Sequence, residues 1–181
     1  MFRNCFAGLA WVSLLAIAGC QKPEVAKPTV EIPAAASGVE TASNVTEDAP
    51  DVPFPELPLG AGKIDDNAPR KFTTTGSGLK YRVLRPGTGP TPTARQTVEV
   101  HYHGWLDNKK VFDSSYDRFQ TISFPLDGVI RGWTEGMQKV NKGGMIELEI
   151  PPRLGYGGVG SGSSVPPNAT LHFLVELKDI K

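Results

Sequence analysis

The sequence predicts an α+β fold: one antiparallel sheet with a single short helix on its apolar face, confined to residues 71–181. Three observations point there. Apolar and polar residues alternate in four separate segments, the pattern of strands with one packed and one solvated face. Only one stretch, 130–140, has helical spacing. Of the 3 Trp, 4 Tyr and 8 Phe, eleven fall within 71–181, so that is where a core can form.

The elements follow in order. Leu79, Tyr81 and Val83 share one face of a strand, with Lys80 and Arg82 on the other. Val98, Val100, Tyr102 and Leu106 oppose Thr97, Glu99, His101 and His103. The 130–140 stretch is a helix of poor propensity, because it contains Gly132 and Gly136. Ile146, Leu148 and Ile150 then oppose Met145, Glu147 and Glu149, and Leu171, Phe173, Val175 and Leu177 oppose His172, Glu176 and Lys178. The charged faces are expected to meet solvent.

The upstream third is different in kind. Arg3 precedes a mostly apolar run, Phe6 to Ala18, which is shorter than the ~20 residues a spanning helix needs and suits the core of an export signal. Its end, Leu15-Ala16-Ile17-Ala18-Gly19-Cys20, resembles the lipobox of bacterial lipoproteins. That resemblance implies a signal peptide over 1–19 and acylation of Cys20, a lipid anchor to the membrane rather than a spanning segment. Gln21 after the cysteine implies sorting to the outer membrane, with the folded domain on the periplasmic side. Residues 20–70 then read as a Pro/Ala-rich linker. Eight prolines lie between 21 and 70, and 20–70 holds nine acids against four bases. Such a segment buries too little apolar surface to offset its ordering entropy, so a disordered tether is expected. Its other reading is a binding or dimerising arm, with Phe54 to Leu59 as the contact.

Composition removes several function classes. Lys+Arg and Asp+Glu are 19 each, which argues against a basic nucleic-acid binder. Cys5 and Cys20 are the only cysteines, so no disulfide framework or cysteine metal site exists downstream. Gly155 to Gly160 matches G-x-G-x-x-G, but the Ser-Gly-Ser-Ser-Val-Pro-Pro that follows cannot open the helix a pyrophosphate requires. His101 and His103, at i and i+2, lack a third ligand and read as solvated histidines. Asp113-Ser114-Ser115 has no nucleophile elbow around it.

What remains is a set of aromatic residues beside turn-rich loops. Val98 to Gly104, Val111 to Ser115, Val129 to Trp133, Tyr156-Gly157 and Val165 to Leu171 together resemble the FKBP-type peptidyl-prolyl isomerases, from about Gly78 to Leu177. The resemblance implies an antiparallel sheet half-wrapped around a short helix that carries Trp133. It implies a catalytic pocket with Trp133 as the floor for a proline ring. Tyr102, Phe112 and Phe173 would be walls, Asp113 the pocket carboxylate, and Tyr156 the hydroxyl that meets a ligand carbonyl. Ile122, Val129, Ile130 and Val165 would complete substrate binding. Ile122 falls where many members have an aromatic. Ser161 and Ser164 stand where bulkier residues are common, which leaves the rim more polar. Implied partners are X-Pro segments of exported polypeptides and macrolide inhibitors, and the implied chemistry uses no metal or cofactor. A non-catalytic binding or chaperone module of the same fold is the alternative; the retained pocket residues favour the enzyme.

Overall fold

The structure, a computed structural model, describes residues 51–181. The export signal, Cys20 and linker residues 20–50 lie outside the described residues. Seven strands and one α-helix follow: β1 Thr73–Thr74, β2 Lys80–Arg85, β3 Thr97–Leu106, β4 Val111–Ser114, β5 Ile122–Pro125, α1 Arg131–Met137, β6 Met145–Ile150 and β7 Leu171–Ile180. They form one sheet in the order β1-β2-β6-β7-β3-β4, with β5 also on β3, and every pairing is antiparallel. Strand β3 is long enough to seat β5 along Thr97–Val100 and β4 along His103–Trp105 on one edge. Its opposite edge runs against β7. That divided edge, with a register shift at Gly104/Trp105, lets the sheet curve about the helix.

The alternation read from the sequence sorts the front face correctly. Val98, Val100 and Tyr102 of β3, Ile146, Leu148 and Ile150 of β6, and Leu171, Phe173, Val175 and Leu177 of β7 are buried together with Trp133 and Met137 of α1. The helix is shorter than its periodic stretch and has no side-chain N-cap. Its two glycines explain why it forms at all. A Cβ on Gly132 would stand 2.5 Å from Ile150 Cγ2, and one on Gly136 would stand 2.7 Å from Leu148 Cδ2. Glycine costs ~1 kcal/mol in a helix, yet only glycine lets α1 lie this close to β6. Packing overrides propensity here.

The back face corrects two expectations. It is solvated only in part, with Lys80 and Lys178 exposed but Arg82, Glu147 and Glu176 buried, and residues 51–70 are not a free tether. Leu84, Trp105, Met145 and Leu174 make a second apolar cluster, against which Phe54, Ile64 and Ala68 pack. The Arg82 side chain, fully buried, holds the crossing segment. Its Nε donates to Glu147 Oε2 at 2.7 Å, Nη1 to the carbonyls of Val52 and Arg70 at 2.7 and 2.9 Å, and Nη2 to that of Pro53 at 2.8 Å. The guanidinium also sits over the rings of Phe54 and Phe72. Glu176, likewise buried, accepts from Gly62 N–H, Tyr116 Oη, Arg85 Nη2 and Lys178 Nζ at 2.7–2.8 Å. A charge can be buried when its hydrogen-bonding capacity is filled, and both side chains meet that condition. The folded unit therefore reaches upstream to at least residue 51 rather than starting at 71.

Candidate functional site

A cavity of about 330 Å³ opens on the front face beside the start of α1. Trp133 forms its floor. The indole meets Tyr102, Phe124 and Phe173 edge to face, with centroids 5.5, 5.6 and 5.3 Å away and planes 79–85° apart. Each such contact adds ~0.5–1.5 kcal/mol beyond area burial, so the floor is held rigidly from three strands. Val129 and Ile130, which lead into the helix, and Gly128 close one side; Tyr156 closes another.

At the rim is a polar triad. Tyr102 Oη donates a short hydrogen bond to Asp113 Oδ2. Arg118 Nη1 donates to Asp113 Oδ1 at 2.8 Å, and its Nη2 donates to Tyr102 Oη at 3.0 Å. Burial, reinforced by the bond to Asp113, pushes the Tyr102 hydroxyl up to about 12, so it stays protonated. Burial alone would raise Asp113, but the donors Tyr102 and Arg118 outweigh it and hold the carboxyl below its ordinary value. The Arg118–Asp113 pair is partly exposed and adds little to stability. Its effect is to keep a carboxylate oriented at the mouth of an aromatic cavity. Tyr156, 39% exposed, has no hydrogen-bond partner for its hydroxyl among the described residues. It is thus the rim donor available to a ligand carbonyl.

The structure brings together seven of the ten residues expected in the pocket: Tyr102, Asp113, Val129, Ile130, Trp133, Tyr156 and Phe173. Three do not line it. Phe112 stands edge-on to Phe173 at 5.4 Å and supports that wall. Ile122 packs half-buried against the core, opposite Val100. Val165 is buried in the core itself. The sequence reading missed Phe124, Gly128 and Arg118. Phe124 shares a face of β5 with Ile122, and that alternation was the available signal. The two β3 histidines are not solvated either. His101 bonds Ser115 Oγ through Nδ1 and stacks on Tyr116, and His103 is half-buried; burial lowers both below the usual imidazole value.

A larger cavity of about 450 Å³ lies on the back face, under residues 52–56. Its Glu147, Glu149 and His172 are engaged by Arg82, Lys80 and Asp107 respectively. Those groups are occupied in holding structure, so the smaller front cavity is the better candidate for chemistry.

A sequence profile for the FKBP-type peptidyl-prolyl cis-trans isomerase matches residues 89–178. The crystal structure of a peptidyl-prolyl cis-trans isomerase from Pseudomonas syringae is 38% identical, covers 61% of this chain and 80% of that one, and superposes with a TM-score of 0.57. The chain belongs to the FKBP family. Similarity to other FKBP proteins is closer but covers less of them. FkpA from Escherichia coli is 51% identical over 108 residues, 60% of this chain and 40% of the relative. A Haemophilus influenzae protein named as a probable FKBP-type isomerase is 55% identical over 107 residues, 59% of this chain and 44% of the relative. The E. coli FkpA crystal structure matches with a TM-score of 0.59 over 61% of this chain and 51% of that one. The chain thus spans less than half the length of the two FKBP relatives matched by sequence.

Proposed function

We propose that this protein catalyses cis-trans isomerisation of X-Pro bonds in exported polypeptides. In the same reading it is held at the outer membrane, facing the periplasm, by a lipidated Cys20, and macrolides compete for its pocket. The observation that carries the catalytic reading is the Asp113 carboxylate, fixed by Tyr102 and Arg118 at the mouth of a largely apolar cavity.

Peptide rotation is slow because it destroys amide resonance, a barrier of ~18–20 kcal/mol. The twisted amide is less polar than the planar one, so an apolar pocket over Trp133 favours it. Every ~1.36 kcal/mol of such preference is a tenfold rate gain. The free hydroxyl of Tyr156 can hold the substrate carbonyl while the ring rests on the indole. The field of Asp113 adds an interaction whose strength depends on how the carbonyl is turned, which is differential binding of the transition state. No proton moves and no covalent bond forms.

The test is a protease-coupled assay on a proline tetrapeptide with the full chain in detergent. Acceleration that a macrolide blocks and a chelator leaves intact is expected; no acceleration would overturn the proposal. For the anchor, Cys20→Ser should move the protein from the membrane fraction or leave it unprocessed. Unchanged membrane partitioning would sink that part.

A further inference from the structure

We infer that Ser115, which does not line the front cavity, is a positioning residue for it: through its backbone and its hydroxyl it fixes both side chains that hold the Asp113 carboxylate. This rests on the proposed isomerase reading and names what sets the geometry of that site. Asp113 is followed by two serines, both buried, at 3% and 0% exposure. They are not equivalent. Ser114 Oγ has no hydrogen-bond partner among the described residues, whereas Ser115 Oγ lies within 3.2 Å of three polar atoms.

The divided edge of β3 explains the difference. Strand β5 pairs with β3 only as far as Val100, and β4 only from His103, so His101 and Tyr102 fall between them. Ser115 takes the place of a strand there. Its N–H donates to the Tyr102 carbonyl at 2.9 Å, and its Oγ accepts from the Tyr102 N–H at 2.8 Å. The hydroxyl proton then has two acceptors in reach, the Tyr102 carbonyl at 3.2 Å and His101 Nδ1 at 3.0 Å. Burial keeps His101 below the usual imidazole value, so at neutral pH its ring is uncharged and has a nitrogen free to accept. That ring is itself fixed, stacked on Tyr116 with centroids 4.7 Å apart.

The same residue opens the turn that returns Arg118. The Arg118 N–H donates to the Ser115 carbonyl at 3.2 Å, and the guanidinium then reaches Asp113 and Tyr102 Oη. Tyr102 and Arg118 are the two side chains that donate to the carboxylate, and Ser115 holds the main chain of each. Serine suits the place, being small enough for a fully buried position and carrying one oxygen that accepts and donates at once. Alanine would leave the buried Tyr102 N–H without its acceptor, and the strand edge would shift to find another. A misplacement of ~1 Å among reacting groups can cost ~10²-fold in rate, so a small shift is enough to read.

The test compares Ser115→Ala with Ser114→Ala in the full chain. On a proline tetrapeptide, Ser115→Ala should lower kcat about fivefold and leave KM within about twofold, the pattern of an interaction felt in the transition state. Ser114→Ala should alter neither. The Asp113 carboxyl carbon, followed by NMR, reports on the site without turnover. Its titration midpoint lies below 3.8 in the parent and should rise toward that value in Ser115→Ala alone. Should Ser115→Ala not fold, Ser115→Cys keeps a weaker donor and acceptor in the same place and should show the same changes at smaller size. Equal effects of the two serine substitutions on kcat, or an unmoved Asp113 midpoint in Ser115→Ala, would overturn the inference. A parent chain that does not accelerate the tetrapeptide, with the Asp113 midpoint still moved by Ser115→Ala alone, would break the isomerase reading and leave the positioning role standing.

Discussion

The two faces of the sheet are both covered over their centres, by opposite means. The front is closed by apolar area: aliphatic residues from β3, β6 and β7 against α1, with aromatic rings around a cavity that stays open. The back is closed by satisfied charge, with Arg82 and Glu176 each making four or more polar contacts and a strap of irregular chain laid over a small apolar cluster. Area is forgiving of geometry, whereas a buried charge is stabilising only while all its partners stay in place. The back face should therefore be the brittle one, and the front face the one whose residues can be changed with losses of function before losses of fold.

The largest expected effect breaks that contrast on the back. Arg82→Leu strands Glu147 and releases the carbonyls of Val52, Pro53 and Arg70, at a cost of ~3–5 kcal/mol. Urea unfolding should show the loss, and limited proteolysis should cut first within 51–70. Loss of stability without new cleavage there would mean the strap is not what Arg82 holds. Adding Glu147→Leu should restore much of it, since an unpaired buried charge is the costly species.

Acid should reach the back face next. Burial alone would raise Glu176, but its bonds from Lys178, Gly62, Tyr116 and Arg85 outweigh that and lower it from 4.5 to about 2. A carboxyl held low in the folded state contributes stability above its unfolded value and loses it as the pH falls through its folded one. Denaturation midpoints should thus decline between about pH 4.5 and 2, and the decline should be shallower in Glu176→Gln. An identical slope in the variant would assign the acid sensitivity elsewhere.

On the front, Asp113→Leu should lower kcat/KM by about tenfold or more, ~1.4 kcal/mol at the barrier, with a Tm change of only a few degrees. Because Asp113 is held below its ordinary value of 3.8, activity should stay level from neutral pH down to about pH 4. A mid-point near 6 or 7 would bring in a histidine. The smallest effect is at the loop: Ser164→Ile, at an exposed position, should tighten macrolide binding by at most ~10-fold. No change would remove the loop as a ligand contact.

The same contrast explains what could be read beforehand. The front was legible because alternation of Val98, Val100 and Tyr102 is a local signal, and because the pocket residues stand in motifs shared with the FKBP family. The back was not, because Arg82, Glu147 and Glu176 look like solvent markers until their partners are known. Those partners sit as far as 114 residues away, at Gly62 for Glu176. A hint was present in Leu84, Trp105, Met145 and Leu174, apolar residues on faces assigned to water. Arg118 escaped for a related reason: its role appears only when a turn folds its guanidinium back onto Asp113 five residues earlier.

The close seat of α1 on β6 also has a consequence in time. A seven-residue helix with glycine at two of its positions has no independent stability, since a first turn is costly to nucleate and glycine weakens each step after it. Its register exists only once Leu148 and Ile150 are already in place to receive it. Trp133 rides on that helix, so the cavity floor is among the last parts of the chain to be assembled. A partly folded copy of this protein would hold its sheet before it could close the front cavity.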